Sequence, residues 1–145
     1  MLGANVETLE LIPMWNDVDP AARARFYFPL HAAVGTQASA VVYFEVEPGE
    51  YLATHRDSAE EILLVLDGEG VAWVRDEELS VGAGSLAVVP ALEPHGVRNT
   101  GDGVLRVVGF FAAAELEHDF EDPIQPIGTS HVTTPPAVVP AGADR

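Results

Sequence analysis

The sequence predicts an all-β domain, and three observations lead to that prediction. From Ser39 onward, short runs rich in Val, Leu and aromatic residues recur at intervals of about 8–12 residues. Gly, Pro and Asp end these runs, as they do at turns between strands. No long helical period separates the runs, and their connections are too short for the crossover helices of a parallel sheet. Short, regular strands of this kind are typical of a β-sandwich or barrel.

The predicted strands follow one another through the middle of the chain. β-Branched and aromatic residues are frequent in them, and turn signals such as Pro48-Gly49 and Asp67-Gly68 end them. The segment 75–78, Arg-Asp-Glu-Glu, is predicted as a further turn. The five predicted strands are 40–46, 61–66, 71–74, 85–89 and 104–111.

The length of the chain, 145 residues, is that of a single domain. We expect an N-terminal extension at 1–38, a barrel at 39–113 and a C-terminal extended tail at 114–145. The extensions differ from the barrel because regular β-rich runs are lacking in both of them.

Two segments of the extensions carry more specific predictions. The aromatic segment 26–30 is predicted as an edge strand, since Pro29 cannot donate a ladder hydrogen bond. The acidic segment 115–122 is expected to begin as a short helical turn.

Charge and cysteine content exclude several classes of function. Asp and Glu number 23 against 7 Arg, with no Lys, so this acidic protein has a net charge of -16. Such a surface repels phosphate, which argues against nucleic acid and anionic membranes as partners. The absence of cysteine excludes disulfides, thiolate metal sites and thiol nucleophiles. Any metal must therefore be bound by His, Asp or Glu.

No segment predicts export or membrane insertion. The N-terminal residues lack a basic stretch followed by an apolar one. The longest apolar run, 104–114, contains Arg106 and is far shorter than the ~20 residues that span a bilayer. We therefore expect a cytoplasmic protein.

Four residues are candidates for a polar site within the barrel. His55, Asp57 and Glu61 are separated by even numbers of residues, so on an unbroken strand their side chains share one face. His95, which follows two stiffening prolines, would join them from a neighbouring strand. Two imidazoles and one carboxylate, from His55, Glu61 and His95, are the facial set typical of non-haem iron, with Asp57 as a candidate fourth ligand.

Other residues near these positions have simpler explanations. Leu63 and Val65 share the parity of the cluster and are expected to line the cavity beyond it. His31, His118 and His131 are predicted to be surface or hydrogen-bonded residues, which is the commoner role of a single histidine in a β protein.

The spacing around His55 resembles the first motif of the cupin superfamily. That motif is a Gly, five residues, His-x-His, three or four residues, Glu, six residues and a Gly. The matching positions here are Gly49, His55, Asp57, Glu61 and Gly68. Asp57 therefore replaces the second histidine of the motif.

The spacing around His95 resembles the second cupin motif, which is Gly, five residues, Pro-x-Gly, two residues, His, three residues and Asn. Gly84, Pro90, His95 and Asn99 match it, whereas Leu92 takes the place of the inner glycine. The two motifs occur in the family's order, and with the flanking strands the resemblance extends over about residues 40–112.

The resemblance implies a fold and a metal site. The fold is a double-stranded β-helix, or jelly-roll barrel, whose mouth holds one divalent metal ion. The positions of the family's ligands correspond here to His55, Asp57, Glu61 and His95. Asp57 could bind the metal directly, bind it through water or act as a hydrogen-bonding partner behind the ligands. A second negative ligand favours harder ions, so Fe(II) or Mn(II) is expected, with Zn(II) or Ni(II) as alternatives.

The resulting hypothesis is a metal-dependent enzyme for a small-molecule substrate. A mononuclear non-haem oxygenase, dioxygenase-like, fits an open three-ligand metal, with Glu61 as ligand and proton acceptor. Metal-assisted isomerisation or cyclisation fits the same site, and a non-catalytic ligand-binding or sensor barrel is the alternative from another class. We expect His55, Glu61 and His95 each to be required for metal binding. Asp57 is expected to be tunable, so that its replacement by Ala lowers metal affinity without abolishing binding. Apolar segments 26–30 and 61–66 further predict a homodimer.

Overall fold

The computed structural model describes residues 1–136, which form twelve strands and two short 3-10 helices. The helices are Val6–Thr8 and Ala32–Val34. The strands, in chain order, are β1 (Ile12–Trp15), β2 (Arg23–Leu30), β3 (Ala40–Val46), β4 (Tyr51–Asp57), β5 (Glu61–Asp67), β6 (Glu69–Val74), β7 (Glu77–Gly82), β8 (Leu86–Val89), β9 (His95–Asn99), β10 (Leu105–Phe111), β11 (Leu116–Ile124) and β12 (Thr129–Thr134).

The strands form two antiparallel sheets of six strands each. The first sheet has the order β1-β2-β3-β10-β5-β8, and the second has the order β12-β11-β4-β9-β6-β7. From β3 to β11, most connections carry the chain from one sheet to the other. The predicted all-β jelly-roll fold is confirmed.

The hydrophobic core lies between the two sheets. At the centre of the first sheet, Val107 pairs with Phe44 on one side and Val65 on the other, and all three side chains are buried. Val97 and Ala72 face them from the second sheet. Burying one Val or Phe side chain stabilises the fold by about 1.5–3 kcal/mol, so this layer gives the strands rigid positions.

Glu61 does not lie on one unbroken strand with His55 and Asp57, and this part of the sequence prediction is wrong. β4 ends at Asp57 and β5 begins at Glu61, while residues 58–60 carry the chain between the sheets. The three side chains nevertheless share one interior because β4 and β5 belong to opposite sheets and both turn these residues inward. The even spacing of these residues therefore predicted correctly that they are buried together, but it predicted one strand where there are two.

A strand also begins where the segment 75–78 was predicted as a turn. β7 pairs with β6 from Glu77 to Gly82, so the turn itself is shorter. The first four residues of β7 are exposed at the edge of the second sheet. An edge strand of this kind lacks the alternation of apolar and polar residues from which strands are predicted.

The N-terminal segment 1–38 contributes two strands to the first sheet. β2 pairs with β1 over Arg23–Phe26 and with β3 on its other side. Pro29 lies beyond the part of β2 that β1 covers, and the register with β3 shifts between Tyr27 and Leu30. The ladder therefore requires no N–H at this proline, which agrees with its predicted edge character.

The segment 115–122, predicted to start as a helical turn, belongs largely to strand β11. Leu116 and His118 are buried, whereas Glu117 and Asp119 are exposed. This alternation is that of a strand with one buried face, and the acidic composition concealed it. β11 pairs with β4 and β12, and residues 137–145 of the predicted tail lie outside the described residues.

Candidate metal centre

Two histidines meet on neighbouring strands of the second sheet. His55 on β4 is the register partner of His95 on β9, and their ring centroids are 4.2 Å apart. Both side chains are buried and face the interior between the sheets. The antiparallel ladder thus brings together two residues that are far apart in the sequence.

Both imidazoles are oriented by the backbone two residues before them. Nδ1 of His55 lies 2.7 Å from the carbonyl oxygen of Ala53, and Nδ1 of His95 lies 3.0 Å from that of Glu93. Because a carbonyl oxygen only accepts hydrogen bonds, each Nδ1 carries the proton and donates it. In the neutral ring, the lone pair is then on Nε2, which is the arrangement of a metal-binding histidine.

The two Nε2 atoms converge on one oxygen of Asp57. Oδ2 of Asp57 lies 3.0 Å from Nε2 of His95 and 3.5 Å from Nε2 of His55. Although these distances are short, Oδ2 is buried and has no partner with hydrogen-bond geometry. A buried carboxylate oxygen without a partner is costly. A cation placed among the three atoms would satisfy it.

The other oxygen of Asp57 is held by a residue that sequence reasoning did not select. Oδ1 lies 2.6 Å from Nδ1 of His118 on β11, and Nε2 of His118 lies 2.8 Å from Oγ1 of Thr134 on β12. His118 was predicted to be a surface or hydrogen-bonded residue; it is hydrogen-bonded and buried rather than exposed. The alternation of Leu116, Glu117, His118 and Asp119 is the sequence signal that could have placed it on the inner face of a strand, but it was not used.

Glu61 reaches the centre from the first sheet but lies to one side of it. Its Oε1 is 3.6 Å from Nε2 of His95, and its side chain is buried. Its carboxylate occupies the space that a Cβ atom at Gly109 would fill. His55, Asp57 and His95 form the compact donor group, with ligand atoms all within 4.8 Å of one another.

The charges of the buried groups are strongly coupled. Burial raises the pKa of Asp57, but the neighbouring imidazoles of His55, His118 and His95, with the hydrogen bond from His118 among them, outweigh it and hold that pKa well below its ordinary value. Burial alone would lower the pKa of His95, yet Asp57 and Glu61 raise it to about 10. Burial raises the pKa of Glu61. Without a metal, the raised pKa of His95 therefore lets its imidazole balance negative charge in the centre.

The donor chemistry of this group fits a divalent metal ion. Two imidazole nitrogens with one carboxylate oxygen are the donor set of non-haem Fe(II) sites, and a carboxylate also suits Mn(II). The unpartnered Oδ2 of Asp57 and the Nε2 atoms of His55 and His95 face one another. These residues could therefore hold the ion that the sequence predicts.

An aromatic ring and a small apolar cavity lie in the interior that holds the centre. Phe120 on β11 stacks on the ring of His55, with ring centroids 4.8 Å apart. The cavity that Leu63 and Val65 help to line is apolar and has a volume of about 10 Å³, which is room for about one water molecule. Leu63 and Val65 therefore line a cavity, but none of the four candidate ligands lines it with them, and this space is too small for an organic substrate.

The fold and the two sequence motifs can now be compared with known proteins. Residues 42–111 match a family model described as a cupin domain, and they include His55, Asp57, Glu61 and His95. The chain contains a cupin domain. Among curated protein sequences, none matches this chain.

Solved cupin structures resemble the chain closely in fold and distantly in sequence. An oxalate oxidase in complex with the substrate analogue glycolate has 20% identity and a TM-score of 0.69, over 83% of this chain and 63% of its own. A predicted oxalate decarboxylase from Thermotoga maritima has 20% identity and a TM-score of 0.66, over 77% of this chain and 99% of its own. The polyketide cyclase RemF from Streptomyces resistomycificus has 20% identity and a TM-score of 0.61, over 77% and 78%.

At these identities the likeness establishes the cupin fold alone. The chain covers only 33% of the oxalate decarboxylase of Lactobacillus farciminis, so some relatives are much longer proteins. In residues 1–136, no helix has the length and apolar character needed to cross a membrane.

Proposed function

We propose that this cupin is a metal-dependent enzyme acting on a small molecule, and that its reaction is that of a mononuclear non-haem oxygenase. The observation that supports the proposal is the group of His55, Asp57 and His95, in which two Nε2 atoms face a buried oxygen without a hydrogen-bond partner. A divalent ion, Fe(II) or Mn(II) before Zn(II) or Ni(II), would supply Lewis acidity and, for the first two, redox chemistry there.

The four predicted site residues have separate roles in this proposal. His55, Asp57 and His95 would hold the ion. Glu61, whose Oε1 lies 3.6 Å from Nε2 of His95, would serve as a proton acceptor beside the ion or as a fourth ligand. Because burial raises the pKa of Glu61, its carboxylate accepts a proton more readily than an exposed one.

The surroundings of the centre favour a small substrate. Three-residue ligation leaves coordination positions open, but the donors themselves are buried, which limits the size of a molecule that can reach them. Phe120, which covers His55, adds an apolar surface. We therefore expect a compact molecule of few heavy atoms, a small apolar or aromatic compound or a short organic acid. The oxalate oxidase among the similar structures, solved with glycolate, supports inclusion of short acids.

Metal analysis and oxygen uptake together test the proposal. Purified protein reconstituted with Fe(II) or Mn(II) should retain about one ion per chain and consume dioxygen with at least one member of a panel of small acids and aromatic compounds. Glu61→Gln should keep the metal and lose turnover, whereas Glu60→Gln, at the exposed neighbouring position, should behave as wild type. A wild type that retains no metal contradicts the proposal.

The same experiment separates the alternatives. A bound metal without oxygen uptake leaves isomerisation or cyclisation, and the similarity to a polyketide cyclase makes cyclisation the first reaction to assay. A protein that binds a small molecule but no metal is a non-catalytic binding or sensor barrel.

We also propose that the chain forms a homodimer through the outer face of the first sheet. Val41, Phe110, Ile62 and Val88 are register partners in one row across β3, β10, β5 and β8. Phe110, Ile62 and Val88 are 44%, 41% and 58% exposed. A contiguous apolar row of this kind is unusual on a monomer, and a second copy would cover it.

Light scattering tests this assembly. The wild type should be a dimer at micromolar concentration, and Ile62→Lys should shift it toward monomer. Leu79→Lys is the matched control, because Leu79 is similarly exposed but lies on the second sheet. A monomeric wild type contradicts the dimer.

A further inference from the structure

We propose that His118, held by Thr134, is a positioning residue that makes Asp57 a one-oxygen metal ligand. This inference rests on the metal site proposed above and deepens it. It concerns the side of Asp57 that faces away from the imidazole pair, where the cupin motifs place no residue. Its basis is that one oxygen of the buried Asp57 carboxylate is hydrogen-bonded and the other is not.

The two oxygens of Asp57 have opposite surroundings. Oδ1 accepts a hydrogen bond from Nδ1 of His118 at 2.6 Å. Oδ2 has no hydrogen-bond partner and faces Nε2 of His55 and of His95. A carboxylate can rotate about its last torsion, which has a broad energy minimum. The bond from His118 therefore fixes the orientation of the carboxylate, so that one oxygen is bonded and the other points toward the centre.

Thr134 fixes His118 in turn. A carboxylate oxygen only accepts, so Nδ1 of His118 carries the proton, and in the neutral ring Nε2 accepts the hydroxyl hydrogen of Thr134 at 2.8 Å. Both ring nitrogens are thus used, and neither is available to the centre. His118 acts on the metal site only through Asp57.

The strands and their apolar side chains hold this arrangement in place. Asp57 and His118 are register partners in the β4–β11 ladder. The rings of Phe28 and Phe111 lie 5.4 and 6.1 Å from the ring of His118, so apolar groups flank it. If His118 were removed, Oδ1 would be left with little to bond, and the carboxylate would turn to find another partner.

The consequence for the site is a reduced number of ligand atoms. With Oδ1 bound to His118, Asp57 offers one oxygen to an ion, whereas a free carboxylate can offer both. His118 therefore preserves open coordination positions in addition to orienting the donor. Hydrogen-bonding partners behind metal ligands typically change metal affinity by about 10–100-fold when they are removed.

We call the chain of hydrogen bonds from Thr134 through His118 to Asp57 the relay. The test compares three variants of the relay with a control variant on strand β12. His118→Phe removes both ring nitrogens, His118→Asn keeps an N–H near the position of Nδ1, and Thr134→Val removes the hydroxyl with little change in shape. His131→Phe is the control, because His131 on β12 makes an equivalent 2.6 Å contact with Asp119 on the exposed side. Thermal melting of the metal-free proteins identifies any variant that fails to fold.

The first readout is the binding of Mn(II), by chelator competition and by the electron paramagnetic resonance spectrum of the bound ion. His118→Phe should weaken binding by about 10–100-fold and alter the spectrum. His118→Asn should recover most of the loss, Thr134→Val should lose less than His118→Phe, and His131→Phe should match wild type. The inference is overturned if His118→Phe folds and matches wild type in affinity and spectrum. If His118→Phe does not fold, the same result for Thr134→Val overturns it.

The second readout needs no metal. Nitrogen-15 NMR of the metal-free wild type should show a hydrogen-bonded proton on Nδ1 of His118. In Asp57→Ala, which lacks the acceptor, the signal of this hydrogen-bonded proton should disappear. A ring protonated only on Nε2 overturns the positioning role even if the wild type binds metal. Conversely, a wild type that shows the Nδ1 proton but binds none of the four metals overturns the proposed function, so the two failures are distinguishable.

Discussion

The two sides of the metal centre are built in different ways. On one side, His55 and His95 are oriented by carbonyl groups two residues earlier in the chain. On the other side, Asp57 is oriented by His118, which is 61 residues away, and indirectly by Thr134 on the last described strand. The comparison indicates that local backbone suffices to orient the imidazoles, whereas the carboxylate depends on the assembled second sheet.

The largest expected effect is loss of the metal when an imidazole is removed. His95→Ala deletes a nitrogen donor and leaves Oδ2 of Asp57 without its nearest neighbour. We expect no retained metal after gel filtration, measured by mass spectrometry of the eluted metal. Retention of about one ion per chain would show that His95 is not a ligand.

The second prediction compares the two carboxylates. Asp57 lies between the imidazoles and Glu61 lies beside His95, so Asp57→Asn should reduce Mn(II) affinity more than Glu61→Gln does. Both changes keep the size of the side chain and remove one negative charge. Calorimetric titration of the two variants measures the difference. The reverse order would restore the sequence-based ranking, in which Glu61 is required and Asp57 is tunable.

The third prediction concerns the space that Glu61 occupies. A methyl group at Gly109 would overlap the carboxylate of Glu61 and the side chain of Val42. Gly109→Ala should therefore lower the free energy of unfolding by about 1–3 kcal/mol, as overpacking does. Urea denaturation measures this loss, with Gly103→Ala as the control, because a Cβ atom at Gly103 has open space. Equal stability of the two variants would contradict the close packing of Glu61.

The smallest expected effect is on the exposed counterpart of the relay. A hydrogen bond to Asp119 raises the pKa of His131 above its ordinary value. The pair therefore contributes stability below the unfolded-state pKa of histidine, and the contribution is lost as pH rises through the folded-state pKa. An NMR titration should find the pKa of His131 above 6.5 and find it lowered by Asp119→Asn. An unchanged pKa of His131 in Asp119→Asn would contradict the ion pair.

The imidazole side of the centre was predictable from sequence because its information is local. The motif spacings identified His55 and His95, and the apolar runs 40–46 and 104–111 identified two strands of the opposite sheet. The crossing at residues 58–60 was missed, since even spacing is compatible with one strand or with two facing strands. Edge strand β7 was missed because its exposed residues do not alternate.

The Asp57–His118–Thr134 relay could not be derived from spacing. His118 lies outside both motifs, in a segment whose acidic residues suggested a helical turn. Its role depends on β11 pairing with β4, and pairing between distant strands is a tertiary property that no local pattern encodes. A search for alternating apolar and polar residues, rather than for acidic composition, would have placed His118 on the inner face of a strand.

The most direct measurement is the anomalous diffraction of Mn(II)-loaded crystals at the manganese absorption edge. The account predicts one peak per chain, bonded to Nε2 of His55, Nε2 of His95 and Oδ2 of Asp57, with Oδ1 still hydrogen-bonded to His118. A structure with no peak among these residues, or with both oxygens of Asp57 on the metal and His118 turned away, would contradict it.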